Sequence, residues 1–368
     1  AAVFTQNVFC AAPVTVSREH LEDCGYGIAQ AVVVNSGNAN AATGERGLAA
    51  ARETAAIASD VLGCAPTEVL VASTGVIGEH LPLEPFATGI PLAAPELSVA
   101  SGGANAARAI MTTDTRPKEA AVTFSGDGIG YDGCTFTVGG MAKGSGMIMP
   151  NMATMIAVIT TDAPLAPEVL HSALVHSVNQ SFNKVTVDSD TSTNDTCFLL
   201  ASGKAAPDAR IAEGSLAYEE FQAALDALTQ MLAREMARDG EGATKLVTGK
   251  ITAAANDEEA DLAARTVANS PLVKTAVFGH DANWGRIAGA LGRSGAHFEQ
   301  QDVSIDIMGI PVCRDGLTVE FSEEEALKRF EEPEIVLEAD LGAGTSSTTI
   351  WTCDFSYDYV RINGDYRT

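Results

Sequence analysis

The chain has 368 residues, of which 46% are hydrophobic and 34 are glycine, so it can form a sizeable core in one large or two smaller domains. Its 48 acidic and 23 basic residues give a formal net charge of −25. This balance argues against nucleic acids and anionic membranes as partners, because there is no basic stripe to neutralise phosphates.

The cysteines and the apolar segments indicate the cellular compartment of the protein. Seven cysteines lie far apart and include no CxxC pair, which is typical of small buried residues in a reducing cytosol. No apolar stretch is long enough to cross a bilayer, and the start AAVFTQNVF lacks the basic and long apolar regions of a signal peptide. We therefore expect a cytoplasmic protein. Because the sequence does not begin with methionine, we also expect a further segment before Ala1 in the gene product.

The predicted elements alternate between strands and helices. Up to the middle of the chain, strands are predicted at 2–8, 14–17, 31–35, 68–72, 135–138 and 155–160, and helices at 45–62 and 167–181. A strand at 197–202 and a long helix at 215–238 follow. The helix carries an apolar stripe at steps of three and four residues, formed by Phe221, Leu225, Leu228, Leu232 and Met236. The pattern then changes, with helices at 258–269, 287–291 and 322–330 and strands at 303–308, 335–340 and 348–355. Residues 250–345 are expected to form a smaller second lobe.

The segment KGSGMIMPNMATMIAVITTDA, from Lys143 to Ala163, runs from breaker residues into a short apolar strand, with Thr154 at the junction. A hydroxyl is a poor nucleophile at neutral pH, and a free α-amino group on the same residue is one base that activates it. The unperturbed pKa of that amine is about 7.7–8.0, close to operating pH. The segment thus fits a chain that cuts itself between Ala153 and Thr154. An ordinary strand threonine is the alternative, because threonine favours strands.

Motifs in a fixed order along almost the whole chain carry a family resemblance. They are AAVFTQNVFCAAPV, VASTGVIGE, AIMTTDTRPKEA, AKGSGMIMPNMATMIAVITTDA, TVDSDTSTNDT, DGEGATKLV, GHDANWGRI and YVRINGDYRT. Together they resemble the ornithine acetyltransferase family, the bifunctional glutamate N-acetyltransferases of arginine biosynthesis. One departure is Ala282, where the family usually has proline, and it affects only a loop.

The resemblance implies three catalytic positions. Thr154 matches the nucleophile and new N-terminus, and Thr74 and Gly75 match the pair that forms the oxyanion hole. Such a hole is needed because acyl transfer passes through a tetrahedral oxyanion. Without the resemblance, the threonine–glycine pair would be interpreted as a simple turn.

The resemblance also implies substrate-binding positions. Lys143 matches a lysine whose ammonium can pair with the α-carboxylate of an amino acid, and Glu241 suits the positive amine of ornithine. The remaining positions of this set are Thr113, Thr154, Asn363 and Thr368. The sequence TTDT leaves Thr112 and Thr115 as neighbours that could be confused with Thr113. From the residues alone, Lys143 and Glu241 would be solvated surface charges.

The polar run TVDSDTSTNDT (186–196) has two interpretations. Asp188 and Asp190 have the spacing of a calcium loop, but neither the required glycine nor the terminal glutamate follows. The favoured interpretation is a buried polar network near the active site, with Asn194 and Asp195 as its least replaceable members. The six histidines form no metal-binding pattern, and His280 is interpreted as structural. No metal site and no cofactor is predicted.

These observations lead to one functional expectation. The fold implied is an α/β layered sandwich that resembles N-terminal nucleophile hydrolases with different connectivity, plus the smaller C-terminal α/β lobe. The chain is expected to become an alpha fragment, 1–153, and a beta fragment, 154–368, and two copies of each to associate.

The expected reaction is ping-pong transfer of an acetyl group from N2-acetyl-L-ornithine to L-glutamate through an acetyl-threonine. Whether acetyl-CoA is a second donor stays open at this point. The nearer alternative is an amidohydrolase or aminopeptidase of the same nucleophile class, and the more distant one is a non-enzymatic, acidic ligand-binding protein.

Overall fold

The structure is a computed structural model that describes residues 1–149 and 155–365. It contains two compact units. Unit 1 comprises Ala1–Asn183 and Asp190–Ala233, and unit 2 comprises Lys184–Ser189 and the chain from Arg234 onward. The expected lobe of 250–345 lies within unit 2.

Unit 1 contains the first seven strands and six helices of the described residues. In chain order they are β1 (Ala2–Phe4), α1 (Ala12–His20), β2 (Ala31–Asn38), α2 (Gly44–Leu62), β3 (Val69–Val76), α3 (Glu84–Ala93), α4 (Gly102–Ala109), β4 (Lys118–Ser125), β5 (Thr135–Lys143), β6 (Ile156–Thr161), α5 (Pro167–Gln180), β7 (Thr196–Ala201) and α6 (Leu216–Arg238). The last turn of α6 belongs to unit 2.

Two sheets organise unit 1. A five-stranded sheet has the order β1-β7-β6-β5-β4, with β6 and β7 parallel and the other pairs antiparallel. A separate two-stranded sheet pairs β2 and β3 in parallel, with Gly37 opposite Gly75. The two strands at the centre of the larger sheet, β6 and β7, are largely buried, as their apolar composition predicts.

The alternation of side chains along β3 gives unit 1 its layers. Val69 and Val71 pack in one core with α1 and α2, whereas Leu70 lies in a second core with Ile156 of β6 and Phe198 of β7. The two-stranded sheet therefore lies between helices and the larger sheet, because successive strand residues point to opposite faces.

The apolar stripe of α6 is buried at all five positions, as the sequence predicted, and its part in unit 1 contacts β5. Gly140 of β5 shows the contact, because a Cβ added there would lie 3.2 Å from Leu228 and 3.5 Å from Leu232. The layer order is thus helices, two-stranded sheet, five-stranded sheet and helix.

The strand predicted at 14–17 is wrong, since these residues lie in the helix α1. Pro13 occupies the first turn, where proline is tolerated, and the β-branched Val14 and Val16 are buried. Ser17 is also buried, and its hydroxyl bonds both the carbonyl oxygen (2.7 Å) and the N–H (2.8 Å) of Val71. Packing against β3 overrides the strand propensity of the segment.

Unit 2 is a mixed sheet covered by helices. Its elements in chain order are β8 (Leu246–Ala254), α7 (Asp257–Ala268), α8 (Pro271–Phe278), α9 (Trp284–Gly292), β9 (Ser304–Ile307), β10 (Ile310–Arg314), β11 (Leu317–Thr318), α10 (Glu323–Arg329), β12 (Glu334–Asp340), β13 (Ser346–Cys353) and α11 (Tyr357–Asp365). The sheet order is β11-β10-β9-β12-β8-β13, and only β8 and β12 pair in parallel among these described strands.

The core of unit 2 joins helices α7, α8 and α9 to the sheet through residues such as Ala264, Val277 and Ile287. Asn283 caps α9 by accepting a hydrogen bond from the N–H of Arg286. Within the described ranges, no helix is long and apolar enough to span a bilayer.

Candidate active site

Strand β3 places Thr74 and Gly75 at its end rather than in a turn after it. Thr74 is buried, and Gly75 adopts φ +133° opposite Gly37 of β2. A Cβ added to Gly75 would lie 2.2 Å from the carbonyl carbon of Gly37 and 2.5 Å from the nitrogen of Asn38. Only glycine allows this backbone and this close approach.

Lys143, the last residue of β5, lies beside Thr74 and is itself buried. Its ammonium donates hydrogen bonds to the hydroxyl oxygen of Thr112 at 2.8 Å and to that of Thr74 at 3.4 Å. The structure therefore brings two sequence-predicted site residues together. It also corrects the interpretation of Lys143 as a solvated surface charge that the residues alone would give.

Asp114 and Lys118 lie next to Lys143 and complete a buried charged group. Lys118 Nζ is 2.6 Å from Asp114 Oδ1, Lys143 Nζ is 3.8 Å from Asp114 Oδ2, and the side chains of Asp114 and Lys118 are wholly inaccessible to solvent. Asp114 also accepts hydrogen bonds from the backbone N–H groups of Thr112 and Gly144. Such buried charges are retained only when they are paired and hydrogen-bonded.

The pKa of Asp114 reflects opposing effects. Burial alone would raise the pKa of its carboxyl, but the charges of Lys143 and Lys118 and the hydrogen bond from Gly144 outweigh burial and hold it below the ordinary value. Asp114 is therefore an anion between two cations. The three side chains together carry one excess positive charge.

Thr113 has a different position from its neighbour. Its hydroxyl is hydrogen-bonded to that of Ser145 at 2.7 Å, whereas Thr112 contacts Lys143. The two hydroxyls thus contact side chains that are two residues apart, Lys143 and Ser145. The sequence could not separate the roles of these adjacent threonines, because both are half-buried members of the same short loop.

Asn194 and Asp195, immediately before β7, join three parts of unit 1. The Asn194 amide donates to the carbonyl oxygens of Ala39 (2.7 Å) and Ser73 (2.8 Å), and Asp195 Oδ1 accepts the N–H of Met155 at 3.0 Å. The pair thus contacts the residue before Thr74 and the residue after Thr154. The buried polar network predicted for this segment is confirmed at these two positions.

The Asp195 carboxyl is fully buried, and burial raises its pKa well above the ordinary value, although the N–H of Met155 and the charge of Lys143 oppose this effect. Its second oxygen, Oδ2, has no hydrogen-bond partner among the described residues. Burial therefore favours the neutral form of the Asp195 carboxyl.

Three predicted site residues lie outside the described part of the chain. They are Ala153 and Thr154, at the expected cleavage position, and Thr368 at the C-terminus. The described strand that follows the expected cleavage position, β6, begins at Ile156, in agreement with the predicted strand.

Unit 2 brings together the two other predicted binding residues. Glu241 follows α6 and is buried, and its Oε2 accepts a hydrogen bond of 2.8 Å from the side-chain amide of Asn363 in α11. The same amide donates to the carbonyl oxygen of Tyr359. The C-terminal segment is thus a docked helix up to Asp365, as a binding role for Asn363 requires.

The loop that carries Glu241 is held by close packing on both sides. A Cβ on Gly240 would lie 2.6 Å from the sulfur of Cys353, and one on Gly242, at φ +70°, would lie 2.4 Å from the nitrogen of Tyr359. These two glycines explain why DGEG has this composition, because any side chain would displace Glu241.

The described residues contain no group of three histidine, cysteine, aspartate or glutamate side chains that could hold a metal ion. Lys143 and Thr74 instead present an ammonium and a hydroxyl within hydrogen-bond reach of each other in a buried, net positive site. That chemistry suits the stabilisation of an anion formed during acyl transfer.

Comparison with known proteins identifies the family. Residues 1–368 match the ArgJ family. The chain is 51% identical over 368 residues to the arginine biosynthesis bifunctional protein ArgJ of Symbiobacterium thermophilum, covering 100% of this chain and 89% of that protein. It is 47% identical over 377 residues to the ArgJ of Methylococcus capsulatus, covering 100% of this chain and 88% of that protein. The chain therefore belongs to the ArgJ family and is an acyltransferase enzyme, as the resemblance predicted.

A solved structure supports the fold over part of the chain. The crystal structure of the arginine biosynthesis bifunctional protein argJ from Bacillus halodurans superposes with a TM-score of 0.55 at 42% identity, over 57% of this chain and 98% of that chain. The mixed α/β architecture is thus supported by a known relative over that part of the chain.

Sequence reasoning missed Asp114 and Lys118. Their spacing of four residues in TTDTRPK is that of a surface ion pair, and nothing local shows that both are buried. Two signals were present: the carboxylate lies next to the threonines that the family resemblance singled out, and the lysine begins a strand with apolar alternation.

Proposed function

We propose that this chain transfers the acetyl group of N2-acetyl-L-ornithine to L-glutamate in arginine biosynthesis, after cutting itself between Ala153 and Thr154. The observation that carries the proposal is the buried contact between Lys143 and Thr74 in a chain whose whole length matches the ArgJ family. The names of the relatives place them in arginine biosynthesis and call them bifunctional.

The proposed first half-reaction is acylation. The Thr154 hydroxyl attacks the amide carbonyl of the donor and gives its proton to the Thr154 α-amine. The hydroxyl of Thr74 and the backbone N–H of Gly75 bind the resulting oxyanion. The carbon–nitrogen bond then breaks, ornithine leaves with the proton from the amine, and an acetyl ester remains on Thr154.

The second half-reaction reverses these steps with a new nucleophile. The α-amine of glutamate attacks the ester, the oxyanion forms again at Thr74 and Gly75, and N-acetylglutamate leaves as the Thr154 hydroxyl regains its proton. The ester stores the acetyl group, so this route uses no metal or prosthetic group. Water must be kept from the ester, or the enzyme becomes a deacetylase.

Binding roles follow from charge. We propose that the ammonium of Lys143 attracts the substrate carboxylate and that the carboxylate of Glu241, held by Asn363, attracts the amine of ornithine. Thr113 and Thr368 are proposed to complete the binding set with hydroxyl groups. Acetyl-CoA is proposed as a second donor, because the relatives are named bifunctional.

The proposed fold resembles the layered sandwich of N-terminal nucleophile hydrolases with different connectivity. The layer order of unit 1, with helices outside two sheets, supports this proposal. The proposed mature protein consists of fragments 1–153 and 154–368, with two copies of each in a cytoplasmic heterotetramer.

The test uses N-acetylornithine labelled in its acetyl group together with glutamate. We expect labelled N-acetylglutamate, and intact mass under denaturing conditions should give fragments 1–153 and 154–368. A Thr154→Ala variant should stay whole and inactive, whereas Thr160→Ala, at an exposed position of β6, should behave like the parent. Labelled free acetate without transfer would instead establish the amidohydrolase alternative.

A further inference from the structure

The ammonium of Lys143 has a contact that substrate binding does not explain. It donates to the hydroxyl oxygen of Thr74 at 3.4 Å, and the hydroxyl oxygen of Thr112 fixes its direction at 2.8 Å. Because the Thr74 oxygen accepts this bond, its own hydroxyl proton is free to point elsewhere. An adjacent cation also polarises that O–H and strengthens it as a donor, since hydrogen bonds linked in a chain polarise one another.

We infer that Lys143 polarises and orients the Thr74 hydroxyl, and that Asp114 and Lys118 are the positioning residues that hold Lys143 for this task. The inference rests on the proposed function, in which Thr74 binds the oxyanion. The inference adds to that function a chain of contacts from the fully buried ion pair to the oxyanion donor. The chain runs from Lys118 to Asp114, then to Lys143 and Thr74.

The geometry of Asp114 explains why the ion pair is needed. Asp114 Oδ1 accepts the Lys118 ammonium at 2.6 Å and the N–H of Gly144 at 2.8 Å, whereas Oδ2 lies 3.8 Å from Lys143 and accepts the N–H of Thr112. Lys118 thus binds Oδ1, whereas Oδ2 is the carboxylate oxygen that pairs with Lys143. Without Lys118, the carboxylate would attract Lys143 more closely and draw it away from Thr74.

The charge balance supports the same conclusion. Among the described residues, Lys118 and Lys143 both lie within 4 Å of the Asp114 carboxylate, and burial, which raises the pKa of Asp195, disfavours a second negative charge near Lys143. The group therefore keeps one excess positive charge beside Thr74, and in a buried site this charge is screened little by solvent. A developing oxyanion is the species that such a charge stabilises.

The experiment measures acylation with p-nitrophenyl acetate, an acetyl ester without α-carboxylate or amine. Lys143→Met should slow the burst of p-nitrophenolate by roughly tenfold to a hundredfold, since removal of a whole oxyanion donor costs about 10²–10³. The turnover number with N-acetylornithine should fall by a similar factor. In a Thr74→Val background, Lys143→Met should have no further effect, because the two residues act as one unit.

The positioning residues have their own readout. Asp114→Asn should move the alkaline limit of the burst rate to lower pH, because a neighbouring carboxylate favours the protonated form of Lys143. Lys118→Met should lower the burst rate with little change in the KM for N-acetylornithine.

Lys184→Met, which removes an ion pair of 2.7 Å with Asp261 in unit 2, is the matched control and should leave the burst unchanged. Thermal unfolding verifies that each variant folds. If Lys118→Met does not fold, the double variant of Lys143 and Thr74 decides whether Lys143 acts through Thr74.

The outcomes separate the two proposals. If Lys143→Met raises only the KM for N-acetylornithine and leaves the ester burst unchanged, the inference is wrong while acetyl transfer stands. If Lys143→Met slows the burst in the Thr74→Val background by the same factor as in the parent, the inference is also wrong. If the parent acylates normally and Lys143→Met is slow, but no acetyl group reaches glutamate, the inference stands and the proposed acceptor is wrong.

Discussion

The side-chain amide of Asn194 donates a hydrogen bond of 2.8 Å to the carbonyl oxygen of Ser73. One residue later, Asp195 accepts the N–H of Met155 at 3.0 Å. Two adjacent side chains immediately before β7 therefore fix the residue before Thr74 and the residue after Thr154. In the proposed mechanism, this dipeptide sets the distance between the oxyanion donor and the nucleophile, and small displacements there are costly to the rate.

Asn194→Ala tests this bridge. The change removes one hydrogen bond from each of the buried carbonyl oxygens of Ala39 and Ser73, and a buried polar group that loses its partner costs about 1–3 kcal/mol. We expect the free energy of unfolding to fall by at least about 2 kcal/mol and both self-cleavage and acylation to slow. Urea denaturation, intact mass and the ester burst measure these effects. Asn105→Ala, at an exposed position of α4, is the control. Normal cleavage and acylation in a destabilised Asn194→Ala protein would show that the bridge serves stability alone.

Much of the fold followed from periodicity. The α6 stripe and the strand after the expected cleavage position were correct because their signals are local: the spacing of apolar residues and a β-branched run. The helices α3, α8 and α11 were not predicted, because their sequences contain no comparable apolar stripe. The error at 14–17 has the opposite cause, because a local strand propensity there is overridden by packing against β3.

The candidate site was harder to predict than the fold. The family motifs pointed to Lys143, Thr74, Glu241 and Asn363, and the structure places the first two in one hydrogen-bonded group and the last two in another. Burial of Lys118 was not predictable, because the side chain is charged and its partner lies four residues away, as in many exposed pairs. Only the tertiary structure shows that no solvent reaches it.

Asp195→Asn should change how stability depends on pH. Burial raises the native pKa of Asp195 above its unfolded value of 3.8, so the native state binds a proton that the unfolded state releases. The contribution of Asp195 to stability is therefore present at low pH and is lost as pH rises from the unfolded pKa through the native one. Asparagine does not titrate and keeps an acceptor for Met155. The stability of Asp195→Asn relative to the parent should thus increase with pH, by at most about 1.4 kcal/mol per pH unit.

Urea denaturation between about pH 4 and pH 8 measures this difference. A Thr154→Ala background keeps both proteins as single chains by the proposed mechanism, so that their midpoints are comparable. Parallel stability curves for the two proteins would mean that Asp195 is ionised in the native state and that its carboxyl has another partner.

Glu241→Gln isolates the charge of this binding residue. Glutamine can still accept the hydrogen bond from Asn363, but it cannot pair with an ammonium. Hydrogen bonds to charged groups contribute about 1.5–3 kcal/mol, so kcat/KM for N-acetylornithine should fall roughly tenfold to a hundredfold. The burst with p-nitrophenyl acetate should be unchanged, because this ester has no amine. Glu220→Gln, exposed on α6, controls for the loss of a negative charge. An equal loss of rate with N-acetylornithine and with p-nitrophenyl acetate would show that Glu241 does not recognise the amine.

Gly75→Ala tests whether the end of β3 requires glycine. The backbone there has φ +133°, and an added Cβ would lie 2.2 Å from the carbonyl carbon of Gly37, a backbone atom that cannot rotate away. Gly78 is a matched control, since it has φ +85° but nothing within 4 Å of an added Cβ. Gly78→Ala should cost only the conformational penalty of about 1–2 kcal/mol.

Gly75→Ala adds overpacking of about 1–3 kcal/mol to that penalty. Relief of the clash must move β2 or β3, and with them the N–H of residue 75 that the mechanism assigns to the oxyanion. Gly75→Ala should therefore lose acylation rate as well as stability, whereas Gly78→Ala should lose stability alone. Denaturation midpoints and the ester burst distinguish the two variants. Equal losses of stability and equal burst rates in both would show that Gly75 is replaceable and that the oxyanion donor lies elsewhere.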